Sequence, residues 1–305
     1  MLGIVLGLIS GLVYGSADFI GGLASRRSST LSVVVISQVA GLVLFVLLLP
    51  LLPPANPTRG DLLWGLCAGV SGGIGIVLLY RGLAIGRMSL VSPVTAVLAA
   101  LFPLVVALAR HERPSLLALS GVALALIAVT LVSASEHAGE PVSNAAPGLT
   151  GPLQSQARRK TTKIWGMPKG LPEAILSGIA IGGFLLFIAQ TKANAGLWPL
   201  ADSRLSSIMV LALLALIARK SLRPQPESLP AILFAGALDM CANACYLIAT
   251  RHGLLSLVVV LASLYPASTV LLARIVLKER LTVVQLAGVG CALAAVALIA
   301  GGSHA

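Results

Sequence analysis

The 305-residue sequence has few charged and few aromatic residues. Charged residues make up 10% of it and aromatic residues 4%, whereas about a quarter of the residues in an average soluble domain are charged. Apolar residues reach 57%, and the mean hydropathy is +0.99. Because a soluble domain needs more charge to cover its surface, the composition predicts an integral membrane protein.

Acidic residues are scarcer than basic ones. Ten Asp and Glu stand against 21 Lys and Arg, which gives a formal net charge of +11. A nucleic-acid-binding protein would carry its basic residues on one face, interleaved with aromatics. Here they lie at the ends of apolar runs and in one linker, so we expect the lipid bilayer, and no nucleic acid, as a partner.

Motifs for enzymatic chemistry are missing as well. The four cysteines lie in apolar runs without a histidine at ligand spacing, which argues against a disulfide framework or a zinc site. The segment "GVSGGIG" at 69–75 lacks the Lys-Ser/Thr ending of a phosphate-binding loop, and close helix packing explains its glycines better. We therefore expect that the protein is neither an enzyme nor an ATP-driven pump, and that it has no cofactor and no metal site.

Long apolar runs dominate the sequence. A helix that crosses the hydrocarbon core needs about 20 apolar residues. Ten segments meet this requirement, and short separators with turn residues or charges divide them: 2–24, 31–53, 61–80, 88–109, 115–135, 171–191, 199–219, 227–250, 253–277 and 281–301. The fold class is therefore predicted to be all-α, with ten transmembrane helices.

One separator is long and polar. Residues 136–170 are rich in Pro, Gly, Ser and Gln and carry a basic cluster from Arg158 to Lys163. Because such a segment has little to bury, we predict a flexible basic linker that divides a first five-helix unit, 1–135, from a second, 171–305. The basic cluster suits either a solvated linker or a contact with anionic lipid.

The two units repeat one another. A constant shift of 167 aligns residues 61–132 with 228–299, so that "GRMSLV" at 86–91 falls on "GLLSLV" at 253–258. Glu112 and Arg113 fall on Glu279 and Arg280 by the same shift. Leu, Ala and Val match by chance in apolar sequences, so the Gly, Ser, Glu and Arg matches identify a true repeat.

An odd number of spans per unit fixes how the two units relate. Five crossings bring the chain to the opposite face, so the second unit must be inverted in the membrane relative to the first. Inverted repeats are typical of secondary transporters, whose substrate site lies near the midplane between the halves. The two Glu-Arg turns should therefore emerge on opposite faces, each glutamate capping the helix that follows it.

Particular motifs add a family resemblance. They are "YRGLAIGRMSLVSP" with "HERPSLLALSG" in the first half, and "SLYPASTVLLARIVLKERLTVVQLAGVGCALAAVALIA" in the second. On these residues the chain resembles the EamA family, the ten-helix branch of the drug/metabolite transporter superfamily. The spacing from Tyr265-Pro266 to Glu279 matches the family pattern, but Ala99 stands where the first half would carry that proline. The resemblance implies a transporter of small metabolites, usually an exporter, without ATP hydrolysis of its own.

Few ionisable groups lie inside the predicted spans, and such groups are candidates for function. Asp239 lies near the centre of the eighth span, with Asn243 one turn later on the same face. Asp239 suits either proton coupling or binding of a cationic group, and the alternative is a structural hydrogen bond to a neighbouring helix. Asp18 in the first span, flanked by glycines, either lines a cavity or faces water at the helix end.

Four more residues are candidates for the same cavity. Arg204 near the start of the seventh span can hold a carboxylate or phosphate, or else extend to the lipid headgroups. Gln38 takes the matching place in the first half by a shift of 166, so the pair should line the two halves of one cavity. Tyr14 and Tyr246 are weaker candidates, since aromatics often lie at the membrane interface.

Two arguments about orientation conflict. The family resemblance implies that both termini are cytoplasmic. Basic residues are denser on the opposite face, however, and the positive-inside rule would make that face cytoplasmic. We expect a multi-pass protein of the cell membrane with cytoplasmic termini.

These inferences converge on a function. We expect a secondary transporter of small metabolites or drugs, an exporter working by alternating access, with Asp239 and Asp18 as groups that can couple transport to protons. Two alternatives stay open: an ion-independent exchanger or facilitator of an anionic solute held by Arg204, and a membrane interaction subunit without transport activity. The expected partners are a small solute and the bilayer, and the sequence leaves the oligomeric state open, with a monomer and a homodimer as examples.

Overall fold

The computed structural model of the chain describes residues 1–25, 27–85, 88–133, 170–219, 221–277 and 283–302. No β-strand is found in these ranges, and their eleven α-helices are joined by turns and three short 3-10 segments. In chain order the α-helices are α1 Leu2–Ser25, α2 Thr30–Leu48, α3 Arg59–Ile85, α4 Met88–Ala109, α5 Leu116–Ser133, α6 Leu171–Ala189, α7 Trp198–Ile217, α8 Leu229–His252, α9 Leu255–Ala262, α10 Tyr265–Leu277 and α11 Val283–Gly302.

The helices confirm the predicted all-α membrane fold. Each predicted span overlaps a helix, with α9 and α10 sharing the ninth. Within the described ranges, six stretches are long and apolar enough to cross a membrane by length and composition: Leu2–Ser25, Thr30–Leu51, Arg59–Gly82, Leu171–Ala189, Trp198–Ile217 and Pro226–His252. The other spans contain shorter apolar helices. The predicted linker, 136–170, lies outside the described residues apart from Gly170.

The ninth span is broken where the fourth is continuous. α9 ends at Ala262 and α10 begins at Tyr265. Pro266 has no N–H to donate to the carbonyl of Ala262, so an α-helical hydrogen bond is lost at this point. Ala99 takes the equivalent position in α4, which runs unbroken from Met88 to Ala109. The proline missing from the first half thus corresponds to a visible difference between the repeats.

Each half inserts its first helix into the other half. α1 packs along α8, α9 and α10, and its repeat equivalent α6 packs along α3 and α4. α2 packs on α8, and its equivalent α7 packs on α3. The helices therefore form two bundles that each mix the halves: bundle one holds α1, α2, α8, α9 and α10, and bundle two holds α3, α4, α6 and α7. α5 and α11 pack against each other as a separate pair.

Small residues allow these close packings. A Cβ placed on Gly11 of α1 would lie 2.8 Å from the carbonyl oxygen of Leu261, at the end of α9. A Cβ on Gly178 of α6 would lie 2.9 Å from the carbonyl oxygen of Thr95 in α4. Both distances are shorter than van der Waals contact, so only glycine lets these helix backbones approach so closely.

Hydrogen bonds between loops show the inversion. The loop after α2 meets the loop after α6, where the Asn56 N–H donates to the Asn194 carbonyl over 2.9 Å. The loop after α1 meets the loop after α7 at the other end of the bundles, where the Gln225 N–H donates to Ser28 Oγ over 3.0 Å. We call the first end the N-terminal face, since α1 begins there, and the second the linker face. The loops after α1 and α6, equivalent in the repeat, thus lie on opposite faces.

Glu112 caps a different helix from the one that we expected. Its carboxylate accepts hydrogen bonds from the N–H groups of Leu255 and Ser256 over 3.2 and 3.0 Å, in the first turn of α9. The expected cap on α5 was wrong, because Ser115 Oγ already accepts the Ala118 N–H at that helix start. Arg113 beside it is exposed. The matching turn residues Glu279 and Arg280 lie outside the described residues.

Removing the Glu112 carboxylate should destabilise the protein. Glu112→Ala leaves two N–H groups at the start of α9 without their charged acceptor, and loss of such a cap costs about 0.5–2 kcal/mol. We expect a lower midpoint of thermal unfolding in detergent. The matched control is Glu227→Ala, which removes an exposed glutamate near the start of α8. An equal effect of both substitutions would contradict the specific role of Glu112.

A methyl group added at Gly11 should destabilise the protein, whereas one added at Gly22 should stabilise it. Gly11→Ala forces α1 away from the fixed backbone of α9, and overpacking of this kind costs roughly 1–3 kcal/mol. Gly22 lies in the same helix, and no atom of the described residues lies within 4 Å of an added Cβ there, so Gly22→Ala should stabilise α1 by up to about 1 kcal/mol. Thermal unfolding of both variants measures the difference, and a Gly11→Ala protein as stable as wild type would refute the close packing.

Candidate functional site

A cavity of about 80 Å³ lies between the two bundles. Asp239 in its wall is ten residues after the start of α8, which places it about 15 Å along that helix, near its middle. The polar side chains in the wall are Tyr14, Asp18, Gln38, Ser203, Arg204, Ser207, Asp239, Asn243, Ser263 and Tyr265. The glycines and apolar residues are Gly69, Gly72, Gly73, Ile76, Leu79, Ile181, Phe184, Leu185 and Ala262.

An ion pair crosses this cavity from one bundle to the other. The Arg204 guanidinium of α7, with a side chain 6% exposed, lies 2.6 Å from Asp239 Oδ2 of α8. It also donates a hydrogen bond to Gln38 Oε1 of α2. A buried guanidinium requires such partners, because an unpaired charge away from water is strongly unfavourable. Arg204 thus joins bundle two to two helices of bundle one.

Gln38 and Arg204 are equivalent residues of the two repeats, and their side chains contact each other. They are 166 residues apart and occupy equivalent places in α2 and α7. Two equivalent residues of an inverted repeat contact each other only beside the axis that relates the halves. The ion pair therefore lies close to the pseudo-twofold axis of the protein.

A second set of hydrogen bonds connects α1 to α8. The Tyr14 hydroxyl donates to Asn243 Oδ1 over 2.7 Å, and Asn243 Nδ2 donates to the Asp239 carbonyl oxygen over 2.6 Å. Asn243 is 3% exposed, so its amide depends on these contacts. Tyr14 and Asn243 thereby hold the backbone around Asp239 in place.

Asp18 lies in the cavity wall, one turn after Tyr14. Neither of the two ion pairs found among the described residues includes it, and no hydrogen bond to its side chain occurs among them. Its environment differs from that of Asp239, whose charge Arg204 balances. The cavity therefore holds one compensated and one uncompensated carboxylate.

Tyr246 has a different position from the other candidates. Its side chain is fully buried, and its hydroxyl donates to the Leu185 carbonyl oxygen over 3.0 Å. It packs in the hydrophobic core and does not line the cavity. The structure thus brings six of the sequence candidates together, namely Tyr14, Asp18, Gln38, Arg204, Asp239 and Asn243, and leaves Tyr246 apart.

Three of the lining residues that were not predicted from the sequence contribute a hydroxyl group or an aromatic ring. Ser207 Oγ and the Tyr265 hydroxyl are buried and have no hydrogen-bond partner among the described residues, and Phe184 contributes an aromatic ring. The repeat could have indicated that Phe184 lines the cavity, because a shift of 166 aligns it with the candidate Asp18. Tyr265 begins α10 at the break after α9, and Ala262 and Ser263 at the same break also line the cavity.

Comparison with known proteins identifies the family. The model of the EamA-like transporter family matches residues 1–134 and 168–301, which is most of the chain in two copies. The chain belongs to the EamA-like transporter family. Its members are transporters, so this EamA-like protein is of the drug/metabolite transporter type and spans a membrane several times.

A solved structure supports the fold of the EamA-like chain independently. It is described as "Crystal structure of protein", shares 13% sequence identity, and superposes with a TM-score of 0.70 over 99% of this chain and 97% of its own. At that identity the similarity concerns the fold alone. No curated protein matches the EamA-like chain.

The cavity ion pair of the EamA-like protein should show strong thermodynamic coupling. Arg204→Gln leaves the Asp239 carboxylate without its partner, and Asp239→Asn leaves the guanidinium uncompensated; removing one partner of a buried pair costs about 3 kcal/mol or more. The double variant removes both charges of the pair together, so we expect it to be more stable than the sum of the two losses predicts. Denaturant unfolding of the four proteins tests this, and additive losses would show that the charges do not interact.

Proposed function

We propose that this EamA-like protein is a proton-coupled secondary transporter that exports a small solute through the central cavity by alternating access. The observation that supports this most is the Arg204–Asp239 ion pair, which joins the two bundles beside the pseudo-twofold axis. Export, the cell membrane and cytoplasmic termini are the parts of the proposal that rest on the family resemblance.

The two bundles suit a two-state mechanism. Each bundle contains the repeat equivalents of the helices in the other, so exchanging their conformations converts a cavity open to one face into a cavity open to the opposite face. A transporter needs both states at comparable free energy, so that solute and ion binding can shift the population. Near-equivalent bundles meet this requirement directly.

The ion pair supplies a means of proton coupling. Arg204 attracts the ionised carboxylate of Asp239 and loses most of that attraction once Asp239 is protonated. Protonation therefore weakens the connection between the bundles and changes the relative stability of the two states. The anion-exchange alternative has less support, since Asp239 and Gln38 already occupy the Arg204 guanidinium.

The coupling proposal predicts different effects for two substitutions at one position. In proteoliposomes loaded with a pH-sensitive dye, wild-type protein should move protons when solutes from a panel of amino acids and small amines are added. Asp239→Asn cannot release a proton and should abolish this movement, whereas Asp239→Glu keeps the titratable carboxyl and should retain part of it. Size-exclusion chromatography of each variant shows whether it is folded.

A matched control lies close by in the sequence. Asp202 of α7 is a partly buried aspartate outside the cavity wall, so Asp202→Asn should leave proton movement unchanged. Unchanged solute-driven proton movement in folded Asp239→Asn protein would refute the role of Asp239.

A further inference from the structure

We infer that the solute is a small amphipathic amine, with its ammonium group bound at Asp18 and its apolar part against α3 and α6. This inference deepens the proposed function by naming the chemical class that the same cavity accepts. Four properties of the cavity carry it: its charge, the division of its wall, its aromatic rings and its size.

The charge of the cavity wall favours a cation. Arg204 and Asp239 balance each other across 2.6 Å, and Arg204 is the one basic residue among the described residues that line the cavity. With both carboxylates ionised, Asp18 leaves a net charge of −1. Because protein atoms surround the cavity, an ammonium group gains more from this charge than it would in bulk solvent, whereas an anion would be repelled.

The wall is divided between a polar and an apolar side. Bundle one contributes both carboxylates, through α1 and α8. α7 of bundle two adds the polar residues Ser203, Arg204 and Ser207 to this polar side. The apolar side comes from α3 and α6, which contribute glycines and apolar side chains, among them Ile76, Ile181 and Phe184. A solute that satisfies both sides needs a polar head next to an apolar body, since burying either part against the opposite wall is unfavourable.

Aromatic rings also favour a cation. Tyr14 and Tyr265 lie in the wall near Asp18, and Phe184 belongs to the apolar side. The faces of such rings carry negative charge density and attract ammonium groups. The Tyr265 hydroxyl is buried without a partner among the described residues, so it is available to a polar substituent of the solute.

The volume of the cavity sets the size of the solute. About 80 Å³ is several times the roughly 10–15 Å³ that a cavity needs to hold one water molecule, so the cavity admits a small solute. An aromatic or branched aliphatic amine fits this limit. A nucleotide or a large drug would require the bundles to separate further.

Three probes of nearly equal shape test the inference: 2-phenylethylamine, 2-phenylethanol and phenylacetate. They differ mainly in charge, which is positive, zero and negative at about pH 7.5. Binding to the purified full chain is measured by calorimetry up to about 10 mM, where weak binding is still detectable. We expect the amine to bind at least about tenfold more tightly than the other two.

Variants then assign the preference to Asp18. Asp18→Asn should weaken amine binding about tenfold and leave 2-phenylethanol binding unchanged, because the apolar wall is intact. Asp18→Glu should keep the preference for the amine. Asp202→Asn, the aspartate outside the cavity wall, should behave as wild type. The unchanged binding of 2-phenylethanol shows that the Asp18→Asn cavity is folded.

Several results would overturn the inference. Equal affinity for amine and alcohol would remove the role of charge, and tighter binding of phenylacetate would make Arg204 an anion site. Binding of none of the three probes would exclude this class of solute. The proposed function is tested separately. Amine binding without any flux in proteoliposomes would refute transport but support the amine site. Proton-coupled flux of other solutes without amine binding would support transport but refute the amine site.

Discussion

The charge of Arg204 is the constraint on which the centre of this protein depends. A guanidinium buried near the middle of a membrane protein must have partners, and the fold supplies Asp239 and Gln38 from two other helices. Those helices belong to the opposite bundle, so satisfying one buried charge also joins the two bundles. Tyr14 and Asn243 extend the connection to α1. A change in the charge of Asp239 therefore alters the contacts that join the two bundles.

Duplication explains the architecture but not the chemistry. The halves share their helix order, their close glycine packings and their loop contacts. Among the described residues that line the cavity, however, the carboxylates come from bundle one alone. The equivalents of Asp18 and Asp239 by the repeat shifts are Phe184 and Gly72, which line the apolar side. The protein thus has a symmetric framework for two states and an asymmetric wall that can orient a solute.

Much of this could be predicted from the sequence, because bilayer thickness, hydropathy and the repeat are local or periodic signals. They gave the ten spans, their inversion and six of the cavity residues. The partner of Glu112 could not be predicted, since α9 follows it by more than 140 residues and only the folded chain brings them together. Tyr246 was misplaced for a similar reason: α8 has neighbours on several sides, and hydropathy does not show which side faces the cavity.

Exchange between two bundle arrangements is the central claim, and paired distances test it most directly. Spin labels at Arg110 and His252 report the N-terminal face, and labels at Arg27 and Arg81 the linker face; all four side chains are exposed, and each pair spans the two bundles. The distances are compared at acidic and neutral pH, in wild type and in Asp239→Asn protein. The account predicts that one distance lengthens as the other shortens in wild type, and that Asp239→Asn stops the response to pH. Distances that stay constant, or that change in the same direction at both faces, would contradict it.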